Sequence, residues 1–214
     1  MNRYLTELIG TFFLVLTIGL SVLSGSALAP LAIGSGLMVM VYMGGHISGA
    51  HYNPAVSLAI LMRGKMDSRD FVPYLIAQVV GAMLAAGAVL MILGSTFAPA
   101  PAPDAGLWAV LLSEFLFTFA LALVVLHVAT ADDTAGNDYY GLAIGFTVMT
   151  GAFAVGPVSG GAFNPAVGTG PILVDALAGD GSMANLWIYL VAPFIGGACA
   201  AMVFKIQATD AAVQ

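Results

Sequence analysis

The chain has 214 residues, of which 60% are hydrophobic and only 7% are charged, and its formal net charge is -6 at pH 7. Soluble domains carry about 25% charged residues, so this composition excludes an ordinary water-soluble protein and indicates a helical membrane protein. The few basic residues form no patch, which argues against nucleic acid as a partner, and the single cysteine, Cys199, excludes an intrachain disulfide.

Apolar runs predict three membrane-crossing helices in the first half of the chain. They cover residues 5–23, 31–43 and 71–93, and about 20 apolar residues cross a ~30 Å hydrocarbon core. A short apolar piece over 54–62 is too brief to span the membrane and is followed by a polar loop over 63–70. The first run is not expected to be a cleaved signal, because it has a counterpart in the second half of the chain.

A Pro-rich connector over 98–106 leads to a second half with the same order of elements. Apolar runs over 107–128, 139–156 and 186–206 predict three more spans, and the apolar piece over 165–174 is again short. We therefore expect the whole chain, 1–214, to form a single transmembrane channel domain.

The two halves, about 3–95 and 107–206, are predicted to be copies of each other. Tyr74 matches Tyr189, and each is followed at the same distance by a pair of small residues. Three spans per copy is an odd number, so the second copy lies upside down in the membrane relative to the first. The predicted fold is an all-α membrane protein with six transmembrane helices, two re-entrant half-helices and an inverted three-helix repeat.

The basic residues predict the orientation of the chain in the membrane. With the N-terminus inside, all of them fall in cytoplasmic segments and none in the external loops, which satisfies the positive-inside rule. These residues are Arg3, Arg63, Lys65, Arg69 and Lys205. We therefore expect a multi-pass protein of the cell membrane, inner or plasma, with both termini in the cytoplasm.

An Asn-Pro-Ala triplet occurs twice in matching contexts, once in each half. In such a triplet, Asn can cap a short helix while Pro takes its first position. Gly- and Ser-rich approaches precede both triplets, and irregular backbone is tolerated at membrane depth only when it is buried in protein or lines a wet cavity. The triplets are Asn53, Pro54, Ala55 and Asn164, Pro165, Ala166. The approach residues whose carbonyl groups would face a passing solute are Gly49, Ala50, His51, Gly160, Gly161 and Ala162.

In an inverted repeat the two short helices direct their N-termini at the bilayer centre, and each end carries about half a positive charge. These ends disfavour cations, while the amides of Asn53 and Asn164 can donate hydrogen bonds to a neutral solute. The pattern predicts a pore for neutral hydrogen-bonding molecules. The alternative is that both Asn residues only cap helices in a packed bundle.

Four further polar residues lie within or beside the apolar segments. Glu7 and Glu114 occupy matching positions in the first span of each half, where a carboxylate is costly. We expect each to brace the nearby loop by accepting its backbone N–H groups, in preference to a proton relay. His46 and His51 flank the first loop without counterparts in the second, which favours packing or loop bracing over gating.

The chain resembles the aquaporin (major intrinsic protein) family over essentially its whole length. The motifs that indicate this are ELIGTF at 7–12, GHISGAHYNPAV at 45–56, SGGAFNPA at 159–166 and PFIGG at 193–197. The resemblance implies an aquaporin-like fold and a homotetramer in which each subunit has its own pore.

Selective water channels of this family resemble one another at a constriction outside the triplets, which is built from an aromatic residue, a His, a small loop residue and an Arg. Matched by distance from each Asn, these positions fall on Ile33, Ala152, Gly161 and Val167. The resemblance therefore implies a selectivity filter that is wider, less polar and without a fixed charge. Glycerol facilitators usually have Arg-Asp after the second triplet, where this chain has Val167 and Gly168.

We expect a passive channel for water and small uncharged solutes in the lipid bilayer, with broad selectivity and no cofactor or metal. One alternative is a facilitator mainly for glycerol, ammonia, hydrogen peroxide or metalloid hydroxides rather than water. Others are a structural membrane protein with little conductance and an ion channel, which the converging helix ends disfavour. An enzyme is not expected, since no nucleophile–base pair, metal cluster or nucleotide loop occurs in the sequence.

Overall fold

A computed structural model describes residues 1–211 of the chain, with side chains over 1–208, and this part forms eight α-helices and no strand. Six of these helices are long and apolar enough to cross a membrane, and two are shorter apolar helices. The predicted all-α membrane class is therefore confirmed, while the end of the predicted cytoplasmic tail, 212–214, lies outside the described residues. The helices are α1 (Asn2–Leu23), α2 (Ala29–Ser48), α3 (Pro54–Arg63), α4 (Ser68–Leu93), α5 (Leu107–Thr130), α6 (Tyr140–Ser159), α7 (Pro165–Ala178) and α8 (Leu186–Ala211).

The second helix is longer than the apolar run that predicts it. The run ends at residue 43, before two glycines, whereas α2 continues to Ser48. Glycine costs a helix interior only about 0.5–1 kcal/mol relative to alanine. At Gly44 the missing side chain is used, because a Cβ there would lie 1.9 Å from the hydroxyl oxygen of Tyr52. Packing of Tyr52, in the loop that follows, against Gly44 therefore favours continuation of α2 through the two glycines.

Helix packing in the second half repeats that of the first. α1 packs against α2 and α4, as α5 packs against α6 and α8, and α2 and α6 join the halves. A Cβ at Gly81 of α4 would lie 2.4 Å from the carbonyl oxygen of Leu8, and a Cβ at Gly196 of α8 would lie 2.6 Å from that of Phe115. Small residues at these crossings let backbones approach closely, which is a main source of helix association in lipid.

Each half-helix packs against the last span of the other half. α3 contacts α8, and a Cβ at Gly197 would lie 2.4 Å from the carbonyl oxygen of Ala55. α7 contacts α4, and a Cβ at Gly170 would lie 2.5 Å from the Cβ of Ala82. The two short helices are therefore held by opposite halves, which brings their N-terminal ends together inside the helix bundle.

Candidate pore

The two Asn-Pro-Ala triplets have the same local geometry. Asn53 Oδ1 accepts the N–H of Ala55 at 2.9 Å and that of Val56 at 3.4 Å, which caps α3. Asn164 Oδ1 caps α7 through two N–H groups at the same distances, 2.9 and 3.4 Å. In both cases Pro is the first helical residue, where its missing N–H has no cost.

The same Asn side chains join the two loops across the centre. Asn53 Nδ2 donates to the carbonyl oxygen of Phe163 at 2.8 Å, and Asn164 Nδ2 donates to that of Tyr52 at 2.8 Å. A side-chain amide nitrogen has two hydrogens, and among the described residues each of these nitrogens makes only one hydrogen bond. One N–H of each Asn is therefore available to a solute, and both Asn residues line the cavity described below.

Glu7 holds the first loop. Its Oε1 accepts the N–H of His51 at 2.9 Å and the hydroxyl of Ser48 at 2.7 Å, and its Oε2 accepts the N–H of Tyr52 at 2.7 Å. The Ser48 hydroxyl in turn accepts the N–H of Ala50 at 3.0 Å. A buried N–H without a partner costs about 1–3 kcal/mol, so this fully buried carboxylate removes a large penalty.

Glu114 makes the matching contacts in the second loop. Its Oε1 accepts the N–H of Ala162 at 3.1 Å and the hydroxyl of Ser159 at 2.7 Å, while Oε2 accepts the N–H of Phe163 at 2.7 Å. The Ser159 hydroxyl accepts the N–H of Gly161 at 3.1 Å. The N–H groups of residues 49–52 and 160–163 thus all donate to acceptors inside the protein.

In each loop, only the carbonyl groups at the two ends accept hydrogen bonds from other described residues. The hydroxyl of Tyr74 donates to the Ser48 carbonyl at 2.7 Å, and the hydroxyl of Tyr189 donates to the Ser159 carbonyl at 2.6 Å. At the other end, each loop's last carbonyl accepts an Asn amide. Within the described part of the chain, six carbonyl groups in between accept no hydrogen bond, namely those of Gly49, Ala50, His51, Gly160, Gly161 and Ala162. These are the six carbonyls that the sequence pattern assigns to the solute path.

The loops adopt left-handed backbone at matching positions. Among described residues, Ala50, Tyr52 and Phe163 are the non-glycine residues with positive φ, at 50°, 48° and 50°. Such conformations cost of order 1–3 kcal/mol each and persist only where the surroundings enforce them. The hydrogen bonds to the two buried carboxylates provide that support.

Two cavities lie toward opposite ends of the bundle. One, of about 340 Å³, is lined by connector residues, both triplet Asn residues and all four predicted filter residues, Ile33, Ala152, Gly161 and Val167. We call it the filter cavity. The other, of about 720 Å³, is lined by polar residues that include Arg3 near the start of α1 and Asp70 near the start of α4.

His51, Val125 and Ile144 line both cavities, so the two meet at these side chains. His51 Nδ1 lies 3.1 Å from the hydroxyl oxygen of Ser57, and its ring centroid lies 5.1 Å from that of Tyr74. The ring is therefore held by packing at the junction. His46 is exposed and lines only the larger cavity.

Much of the lining of the filter cavity is aliphatic. Among the described residues no Asp, Glu, Lys or Arg side chain lines this cavity. The aliphatic side chains are Leu14, Ile18, Val22, Leu37, Val56, Leu121, Val125, Ile144 and Val148. The lining of this cavity therefore combines the hydrogen-bond acceptors of the loops with hydrocarbon side chains.

Sequence reasoning missed the role of Gln78, which is fully buried in α4. Its Nε2 donates to Glu7 Oε2 at 2.8 Å and to the hydroxyl oxygen of Ser57 at 3.0 Å, so it links the carboxylate to the half-helix. A lone amide inside an apolar run was the available signal, because intramembrane polar residues mark structural or functional contacts.

Comparisons with known proteins agree with this geometry. The sequence model of the family described as "Major intrinsic protein" matches residues 1–204. The chain is 36% identical to "Aquaporin NIP1-1" of Zea mays over 216 residues, covering 96% of this chain and 74% of the relative. It is 34% identical to "Glycerol uptake facilitator protein-like 6" of Lactiplantibacillus plantarum over 219 residues, covering 98% of this chain and 100% of the relative.

A third relative and a solved structure extend the comparison. "Aquaporin AqpM" of Methanothermobacter thermautotrophicus is 34% identical over 241 residues, with coverage of 95% and 96%. The X-ray structure of the aquaglyceroporin from Plasmodium falciparum superimposes with a TM-score of 0.84 at 22% identity, covering 95% of this chain and 94% of the other. At that identity the structural match supports the fold alone.

Proposed function

The chain belongs to the major intrinsic protein family, and on that premise we propose a broadly selective member of it, a passive channel that admits solutes larger or less polar than water. Its general function, a channel for water or small neutral solutes, follows from the family and its relatives. The observation that supports broad selectivity is the filter cavity, where Ile33, Ala152, Gly161 and Val167 meet without a charged side chain.

The filter region offers acceptors and very few donors. Its loop N–H groups are bound to Glu114 and Ser159, so the open backbone groups are carbonyls. Val167 supplies no donor where water-selective relatives of the family have Arg. A neutral solute with its own donors, such as water, ammonia, hydrogen peroxide or a small polyol, can hydrogen-bond to the carbonyls while its carbon atoms contact the aliphatic wall.

Cations are excluded at the centre of the pore, where the two half-helices meet, and not at the filter residues. The N-terminal ends of α3 and α7 converge where the two Asn amides cross, and each end has a partial positive charge. A cation at this point loses hydration without gaining a counter-charge. Ion conduction is therefore disfavoured even with valine at position 167.

We assign Glu7 and Glu114 the role of bracing the loops, since each accepts two loop N–H groups and a serine hydroxyl. We also propose that the two halves are inverted repeats forming one channel domain, because their helix contacts match. The protein would then be a homotetramer of the cell membrane with cytoplasmic termini.

Stopped-flow light scattering on proteoliposomes tests the proposal, with osmotic gradients of sucrose for water and of glycerol for solute entry. We expect both fluxes to exceed those of protein-free vesicles and no current in planar bilayers. Water flux without glycerol, ammonia or peroxide flux would contradict broad selectivity. Solute flux with little water flux would favour a solute facilitator, and neither flux from folded protein would favour a structural role.

A further inference from the structure

Phe97 lies just after α4 and lines the filter cavity together with the four filter residues. The other aromatic rings among the described lining residues are the imidazole of His51, which lies at the junction of the two cavities, and the phenol of Tyr52. The Tyr52 side chain is fully buried, and its hydroxyl donates to the Met40 carbonyl. The aromatic filter position is Ile33, which has no ring. Phe97 is therefore the benzyl side chain that a solute in this cavity can contact.

The ring of Phe97 sits in a slot on α1. A Cβ at Gly19 would lie 2.4 Å from Phe97 Cε1 and 2.7 Å from Cζ, and it would lie 2.7 Å from Val89 Cγ2. The ring thus packs directly over the backbone of α1, where any larger residue would displace it. Close packing of this kind restricts the ring to one position.

The backbone around Phe97 is attached to three other parts of the bundle. The hydroxyl of Thr96 donates to Asp175 Oδ1 of α7 at 2.6 Å, and the N–H of Ala102 donates to the Val158 carbonyl of α6 at 3.0 Å. A Cβ at Gly160 would lie 2.8 Å from the backbone nitrogen of Ala100, so the connector also touches the second loop. These contacts hold the connector against the pore instead of leaving it free.

We propose that Phe97 is a fifth specificity-determining residue, which supplies, from the segment between α4 and the connector, the aromatic wall that position 33 lacks. The ring adds no hydrogen bond, so it acts by limiting the width of the path and by providing an apolar surface for the carbon side of a solute. This inference rests on the proposed function, because it concerns which neutral solutes pass the same filter.

The test compares Phe97→Ala and Phe97→Leu with the wild-type protein in proteoliposomes, using glycerol and the longer polyol erythritol. We expect the ratio of erythritol to glycerol uptake to rise roughly tenfold in Phe97→Ala and less in Phe97→Leu, as for a hydrophobic wall that loses several carbon atoms. Water flux should change by less than about twofold. Phe153→Ala is the matched control, since this ring on α6 is exposed and lines neither cavity.

An unchanged uptake ratio in both variants overturns the inference, as does a proportional loss of water and polyol flux that would reveal a purely structural role. If Phe97→Ala does not fold, the erythritol-to-glycerol uptake ratio of Phe97→Leu alone tests the inference. Wild-type protein that conducts water but no polyol contradicts the proposed function separately. In that case a gain of glycerol uptake in Phe97→Ala still supports the inference, and no gain overturns it.

Discussion

At the residue scale, we propose that position 167 determines the charge of the filter. The N–H of Val167 bonds to Asn164 Oδ1, so its side chain leaves the first turn of α7. The side chain is 4% exposed and borders the filter cavity. Valine at this point adds neither a donor nor a positive charge, so we expect the open carbonyls of the second loop to dominate the recognition of solutes.

Val167→Arg should narrow the solute range while water flux is retained. The guanidinium would fill part of the cavity and offer donors that compete for the loop carbonyls. We expect glycerol uptake to fall roughly tenfold, a barrier increase of about 1.4 kcal/mol. Light scattering on proteoliposomes measures both fluxes, with Val167→Leu as the uncharged control. Glycerol flux equal to wild type in the Arg variant would show that the filter lies elsewhere.

At the element scale, glycine contacts decide how closely helices cross. Gly81 of α4 meets the backbone of α1 at Leu8, whereas a Cβ added at Gly87, less than two turns further along the same helix, would have no neighbouring atom within 4 Å. The two glycines therefore differ in packing although both lie in one apolar run. The sequence alone does not distinguish the packing of Gly81 from that of Gly87.

Gly81→Ala should destabilise the protein and Gly87→Ala should not. The added methyl at 81 overpacks the α1–α4 crossing, at a cost of about 1–3 kcal/mol. At 87 it meets open space and gains helix propensity, by roughly 0.5–1 kcal/mol. Thermal unfolding of the detergent-solubilised variants by circular dichroism measures the difference. Equal transition temperatures for the two variants would refute the role of the close crossing.

At the scale of the whole molecule, the starts of α1 and α4 lie on the same side of the bundle. Arg3 pairs with Asp70, and the hydroxyl of Tyr4 donates to Asp70 Oδ1 at 2.6 Å, which ties the two helix ends together. Lys65 lines the larger cavity on this side together with Arg3. The positive-inside rule predicts that this side faces the cytoplasm.

Cysteine labelling tests that orientation in a Cys199→Ala background. Ser182→Cys and Asp133→Cys each place a thiol on an exposed loop position, on opposite sides of the bundle. In intact cells an impermeant maleimide should label position 182, while position 133 should react only after permeabilisation. The opposite labelling pattern would invert the proposed topology.

The sequence by itself determined the helical membrane class, the six spans and the two triplets, since span length and apolar composition are local properties of the chain. Only the tertiary structure decided which groups meet. Asn53 reaches the carbonyl of Phe163, Gln78 reaches Glu7, and Phe97 reaches the filter cavity. The groups that meet in each case are far apart along the chain, so their contact depends on how the helices pack around the pore.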